Sequence, residues 1–190
     1  MLDGWLQALV ATPGLTAIRD VDQARRALLE DSLRGAAVVS RFEGPILDVG
    51  SGGGVPGIPL AAALPERRVT LLEANGRKCD FLREWAPPNA QVVQGRAEDQ
   101  ETDSFGVAVA KALAPPPVAA EWCLPLVRPE GAAVLWVGPT ADRDRVARVA
   151  QRLAAEVVDG PEGLLVLHKL GPTPDGFPRR PGVARKRPLG

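Results

Sequence analysis

The chain contains no tyrosine, one histidine (His168) and two cysteines, Cys79 and Cys123, among its 190 residues. Two thiols make no disulfide framework, and with a single distant histidine they lack the spacing of metal ligands. No metal is expected, and both thiols read as reduced residues of the core. With so few groups that titrate near neutrality, no nucleophile–base pair is recognisable. No apolar run approaches the roughly 18 residues of a membrane span. The segment Met1 to Ala11 carries Asp3 and has no basic leader before its apolar part, so a cytoplasmic location is the default expectation. Net charge is absent too: 23 Lys and Arg balance 23 Asp and Glu, which denies the chain an overall field that would attract nucleic acid.

What is present is the composition of a folded domain, 45% hydrophobic and 24% charged, in a chain long enough to bury a core unaided. A monomer is expected. The charge is unevenly spread. Residues 172–190 gather Arg179, Arg180, Arg185, Lys186 and Arg187 against one acid, Asp175, on an otherwise slightly acidic body. Interleaved Pro and Gly predict an extended tail whose cations contact RNA phosphates.

Three parts follow from the pattern: a helical extension at 1–44 packed on the core, a core at 45–170 and the basic tail at 171–190. Helical spacing predicts helices over Leu2 to Val10 and Val21 to Val39, the second started by Asp20 and Asp22. The run Pro45 to Gly50 reads as a buried strand. Further strands are expected at Arg68 to Glu73, Ala90 to Gln94, Gly106 to Ala110, Gly131 to Val137 and Leu164 to His168. Helices are expected at Gly57 to Ala63, Gly76 to Trp85, Pro116 to Leu126 and Ala141 to Ala154. Such alternation specifies an α/β, Rossmann-like fold: a mostly parallel sheet with helices on both faces. Ala155 to Val158 and Leu164 to His168, across Asp159-Gly160-Pro161, add an antiparallel edge. Trp85, Trp122 and Trp136 sit in apolar patterns and are expected in the core.

The most informative segment is Asp48-Val49-Gly50-Ser51-Gly52-Gly53-Gly54-Val55-Pro56-Gly57. Glycines let the chain turn sharply after a strand and bring backbone N–H groups close to a ligand. Gly52, Gly54 and Gly57 also satisfy the G-x-G-x-x-G spacing of a dinucleotide site, with Glu73 about twenty residues on. Three features favour S-adenosylmethionine instead. Asp48 opens the loop with an acid suited to the ammonium and sulfonium charges, Glu73 is placed for both ribose hydroxyls, and Gly95-Arg96-Ala97-Glu98-Asp99 offers a second acidic loop for adenine. The expected cofactor residues are therefore Asp48, Gly50, Ser51, Gly52, Gly54, Gly57, Glu73, Ala97 and Glu98. A dinucleotide-dependent oxidoreductase remains the rival, weakened by the missing tyrosine.

Leu47 to Leu60 resembles the L-D-V-G-S-G-x-G-x-P-G-I-P-L stretch of the RsmG (GidB) family. Val69 to Glu73 with Arg77-Lys78 and Phe81-Leu82, the loop Arg96-Ala97-Glu98, and Phe177-Pro178-Arg179-Arg180-Pro181-Gly182 are similar to its later segments. Leu15 to Ile18 and Asp31-Ser32-Leu33 resemble its N-terminal part. The resemblance implies a class I methyltransferase fold and transfer of a methyl group from S-adenosylmethionine to N7 of a guanine in 16S rRNA of the small ribosomal subunit. Lys111, in Ala110-Lys111-Ala112, stands where the family commonly has S-R-A and is expected to orient the acceptor from the end of the fourth strand. Val137 replaces a common Lys and Leu28 a common His. A non-catalytic RNA-binding relative is the alternative that these departures leave open.

Overall fold

A computed structural model describes residues 1–189, so Gly190, the last residue of the tail, lies outside the described residues. Seven strands form one sheet: β1 (Ile46–Val49), β2 (Val69–Glu73), β3 (Ala90–Gln94), β4 (Phe105–Lys111), β5 (Val127–Trp136), β6 (Ala155–Val158) and β7 (Leu164–Lys169). Their order is β3-β2-β1-β4-β5-β7-β6. The first five run parallel, and β7 runs antiparallel to both β5 and β6, as the sequence pattern predicts. β1 is the pivot. All four of its residues are buried, with Ile46 in register with Val69 on one side and Val107 on the other. The chain moves outward from β1 to β3 and then returns to lay β4 beside β1. This reversal opens a crevice above the C-terminal strand ends, where ligands of open α/β sheets bind.

The helices are α1 (Leu2–Ala11), α2 (Val21–Ala24), α3 (Asp31–Leu33), α4 (Ala36–Val39), α5 (Gly57–Ala63), α6 (Gly76–Trp85), α7 (Pro116–Cys123), α8 (Arg143–Arg152) and α9 (Val183–Lys186). Capping fixes several starts: Asp20 accepts from Gln23 N, Asn75 from Arg77 N and Lys78 N, and Asp142 from Arg145 N. One apolar cluster joins Trp5, Leu9, Ile58 and Leu82 to the sheet residues Ile46, Val107 and Val134. The other joins Ala120, Cys123, Val149 and Leu189 to Leu47, Ala108 and Leu135 on the opposite face. Both cysteines are free and buried. Among the described residues no helix is long and apolar enough to cross a membrane.

Two expectations need correction. The helix expected from Val21 to Val39 is broken: residues 25–30 form a π turn, and the chain bends before α4. Gly35 marks the bend because the indole of Trp136 occupies the space of a side chain; a Cβ there would stand 2.3 Å from Trp136 Cζ2. The C-terminal segment is not extended but docked. Arg179 makes a bidentate pair with Glu121, whose residue is only 2% exposed, and Ala184 and Leu189 are buried beside α7. A buried carboxylate without a cation is strongly disfavoured, so Glu121 fixes where the segment must lie.

Lys169 anchors the start of that segment. Its fully buried ammonium donates to Leu124 O (2.8 Å), Thr173 Oγ1 (2.8 Å), Val127 O (3.1 Å) and Asp103 Oδ1 (3.2 Å). Burial lowers its pKa, and Asp103 opposes that shift. Lys169→Ala removes the ammonium that Leu124 O and Val127 O accept from and leaves Asp103 without its cation, and is expected to cost about 3 kcal/mol or more. Urea unfolding measures this; a loss under about 1 kcal/mol would mean that the network contributes little to stability.

Candidate functional site

The loop after β1 is held from three sides. Gly50 N and Ser51 N donate to Leu72 O at the end of β2 (2.8 and 3.0 Å), and the Ser51 hydroxyl donates to Asp48 O. Gly50 has φ +71°, a left-handed conformation natural to glycine, and a Cβ there would fall 2.3 Å from Leu113 Cδ1. Gly52 and Gly54 also have positive φ. On the outer side, the buried Trp5 indole of α1 donates to Gly53 O (2.9 Å), and Leu9 leaves no room for a side chain at Gly53. The N-terminal helix therefore shapes the loop, a role that helical spacing alone does not reveal.

Glu73, nearly buried at the end of β2, bridges two turns. Its Oε2 accepts from Gly52 N (2.9 Å) and its Oε1 from Asn75 N (2.8 Å). Each carboxylate oxygen retains a further acceptor position. Above it lies a cleft of about 360 Å³, lined by Val49, Gly50 and Glu73, by Gly95 to Glu98 after β3, and by Leu113, Trp122 and Arg185. That volume falls in the ~300–1,000 Å³ range of small-molecule sites. Of the residues expected to hold the cofactor, Gly50, Glu73, Ala97 and Glu98 line the cleft. Ser51, Gly52, Gly54 and Gly57 build the loop beside it. Trp122, expected in the core, is half-buried and faces the cleft, while Trp136 is buried.

Asp48 departs from the expected role. It does not line the cleft: it is fully buried beneath the loop, and its Oδ2 accepts from Gly57 N (3.0 Å), fixing the start of α5. Oδ1 has no partner among the described residues. Burial pushes its carboxyl up to about 7, partly offset by Ser51 and by the Gly57 N–H.

A second hollow, about 450 Å³, lies over the ends of β4 and β5 and is bordered by Leu28, Asp31, Arg34, Lys111 and Trp136. Ala112, with φ +54°, borders both hollows. Lys111, at the end of β4, does not stand alone. Its Nζ pairs with Asp31 Oδ2, Arg34 Nη1 pairs with Asp31 Oδ1 (3.0 Å), and the Trp136 indole donates to Asp31 O (2.9 Å). Asp31 thus orients Lys111, and only the folding of residues 21–33 over the strand ends brings them together. His168 lies elsewhere, near the end of β7 between β5 and β6, beside Phe42 and 3.8 Å from Glu130. Among the described residues no three His, Cys, Asp or Glu side chains are grouped as a metal site.

In the tail, Arg180, Arg185, Lys186 and Arg187 are exposed. Arg179 is committed to Glu121, and Arg185 lies over Trp122 with its guanidinium carbon 5.7 Å from the ring centroid.

The raised pKa of Asp48 has a defined sign. Folded protein keeps its proton up to about pH 7, whereas an unfolded chain loses it near 3.8. Between those values the native state binds more protons, so this group's contribution makes stability fall as pH rises and then level off. Asp48→Asn, which retains an acceptor for Gly57 N, should flatten the fall, as read by urea midpoints at pH 5, 6, 7 and 8. Equal pH dependence in the two proteins would place the titration elsewhere.

Residues 4–159 match the family model GidB, rRNA small subunit methyltransferase G. Ribosomal RNA small subunit methyltransferase G of Synechococcus sp. (strain JA-2-3B'a(2-13)) is 34% identical over 206 residues, covering 94% of this chain and 79% of its own length. The protein of that name from Rubrobacter xylanophilus is 36% identical over 201 residues, covering 93% and 74%. Among solved structures, a SAM-dependent O-methyltransferase from Thermotoga maritima superposes with a TM-score of 0.59 at 17% identity, over 86% of this chain and 73% of that one. M. jannaschii TYW2 in complex with AdoMet gives 0.56 at 16% identity, over 73% and 71%. Those two likenesses establish the fold. Together with the family match and the identity to curated relatives, they lead to one conclusion: the chain has the class I methyltransferase fold and belongs to the rRNA small subunit methyltransferase G (RsmG, GidB) family.

Proposed function

We propose that this protein methylates N7 of a guanine in the 16S RNA of the small ribosomal subunit, with S-adenosylmethionine as donor, in the cytoplasm where that RNA is assembled. The observation that carries the reading is that Ala112 borders two hollows of different chemistry. One is floored by a glycine turn and the Glu73 carboxylate, with Glu98 on its wall. The other presents an ammonium–carboxylate pair beside an indole. The first suits the cofactor: Glu73 for the ribose hydroxyls, Gly50 for close backbone approach, Ala97 and Glu98 for the adenine edge.

When bound, S-adenosylmethionine supplies a methyl group on a cationic sulfur, an electrophile that needs no further activation. Guanine N7 carries a lone pair and no proton, so accepting the methyl group requires no base. This agrees with a site in which, among the described residues, no histidine, tyrosine or cysteine borders either hollow. What the chain must do is hold the base still. Lys111 is suited to donate to guanine O6 or to a phosphate, with Asp31 and Arg34 fixing its direction. Arg180, Lys186 and Arg187 are suited to RNA phosphates, each a salt-dependent contact.

Glu73→Ala removes an acceptor for the ribose. Charge-assisted hydrogen bonds contribute roughly 1.5–3 kcal/mol, so calorimetry should show about a ten- to hundredfold higher Kd for S-adenosylmethionine. Affinity within twofold of wild type would remove Glu73 from the site.

The function itself is tested by single-turnover transfer of labelled methyl to small-subunit RNA, with cofactor saturating so that any effect of Asp48 ionisation on affinity is removed from the rate. The rate should be nearly flat from about pH 6 to 9, because no proton leaves the acceptor. Lys111→Ala should lower it about tenfold or more by misplacing the base, with the profile still flat. The product should be cleavable by aniline after reduction, the behaviour of a ring carrying a fixed positive charge. A methyl group on an exocyclic amine, ribose oxygen or carbon, or a rate rising tenfold per pH unit, would overturn the proposal.

A further inference from the structure

The C-terminal segment closes one end of the cofactor cleft. Three contacts fix it there: Arg179 grips buried Glu121 of α7, Gly182 N donates to Glu98 Oε1 (3.2 Å), and the Arg185 guanidinium lies over the Trp122 ring. Arg185 and Trp122 line the same cleft as Glu73 and Glu98. Because Gly182 contacts Glu98 directly, α9 stands over the acidic, adenosine-binding end of the cleft and away from the hollow of Lys111.

From this arrangement we infer that Arg185 is a cofactor-binding residue, delivered by the basic tail to the adenosine moiety, with Trp122 as its platform. Its neighbours Arg180, Lys186 and Arg187 have no such placement and remain available to RNA. The chemistry is appropriate. A guanidinium stacked on an indole keeps its in-plane donors free, and the ring nitrogens of adenine and the ribose oxygens are acceptors. Cofactor binding and docking of the tail then reinforce each other, since one guanidinium belongs to both.

The inference rests on the cleft being the S-adenosylmethionine site, and the experiment separates the two ideas. Calorimetry is run on wild type, Arg185→Ala and Lys186→Ala/Arg187→Ala with S-adenosylmethionine and, separately, S-adenosylhomocysteine. Loss of a charge-assisted contact should raise both Kd values by about five- to thirtyfold in Arg185→Ala, and by the same factor, because the two ligands share the adenosine moiety. The double variant should bind both ligands as wild type does. It should instead flatten the salt dependence of binding to small-subunit RNA by roughly 0.7 in log–log slope per lost contact, whereas Arg185→Ala leaves that slope unchanged. Wild-type affinity in Arg185→Ala, or tighter binding of the cationic ligand alone, would overturn the inference while leaving the cleft assignment standing. Failure of wild type to bind either ligand would overturn both.

Discussion

The carboxylate of Glu73 accepts one N–H from the glycine loop after β1 and one from the turn that opens α6. Two strand ends are thereby fixed relative to each other by a single charged group with acceptor capacity to spare. Every other feature of the cleft is arranged around that bridge. Asp48 holds the far end of the same loop through Gly57, and Trp5 holds its crest through Gly53. The loop's shape depends on directional hydrogen bonds from below, beside and above, and on the close packing of Leu113, Leu9 and Ile58 against its glycines.

The two terminal segments complete the site from opposite faces of the sheet. Residues 21–33 cover the ends of β4 and β5 and bring Asp31 to Lys111. The C-terminal segment, held by Arg179 and Glu121, brings Arg185 to Trp122. A bare α/β core would have the crevice but only half of its walls. The terminal parts that look like appendages in the sequence therefore determine what the crevice can bind, and they do so through buried or half-buried ion pairs whose partners lie 80 and 58 residues apart.

A paucity of groups that titrate near neutrality is consistent with the proposed chemistry. The proposed methyl transfer to an unprotonated ring nitrogen would be limited by placement, and the residues bordering the hollow over β4 and β5 are suited to place a base: a cation oriented by a carboxylate, an indole fixed by a backbone hydrogen bond, and apolar contacts. The one carboxyl pushed to about 7, Asp48, is sealed beneath the loop and serves the architecture.

Strand positions, the antiparallel edge, the glycine turn and the acids at successive strand ends were all legible in the sequence, because each is written in local pattern: apolar runs of strand length, glycines at the turn, caps before helices; the order of the strands in the sheet was not. Glu73 could be found by its distance from the glycines, and Lys111 by its position at a strand end. What the sequence could not disclose was the partner of each charge. Asp48 reads as a cofactor acid until burial shows it bound to Gly57, and Arg179 and Arg185 read as tail cations until Glu121 and Trp122 are seen beneath them. Lys169 stood out in no pattern at all, yet its ammonium ties β7 to the segments around Leu124 and Thr173. Local periodicity determines where strands and helices form. Which charges meet is decided only when segments distant in the chain are brought together, since a buried charge is tolerated only opposite its partner.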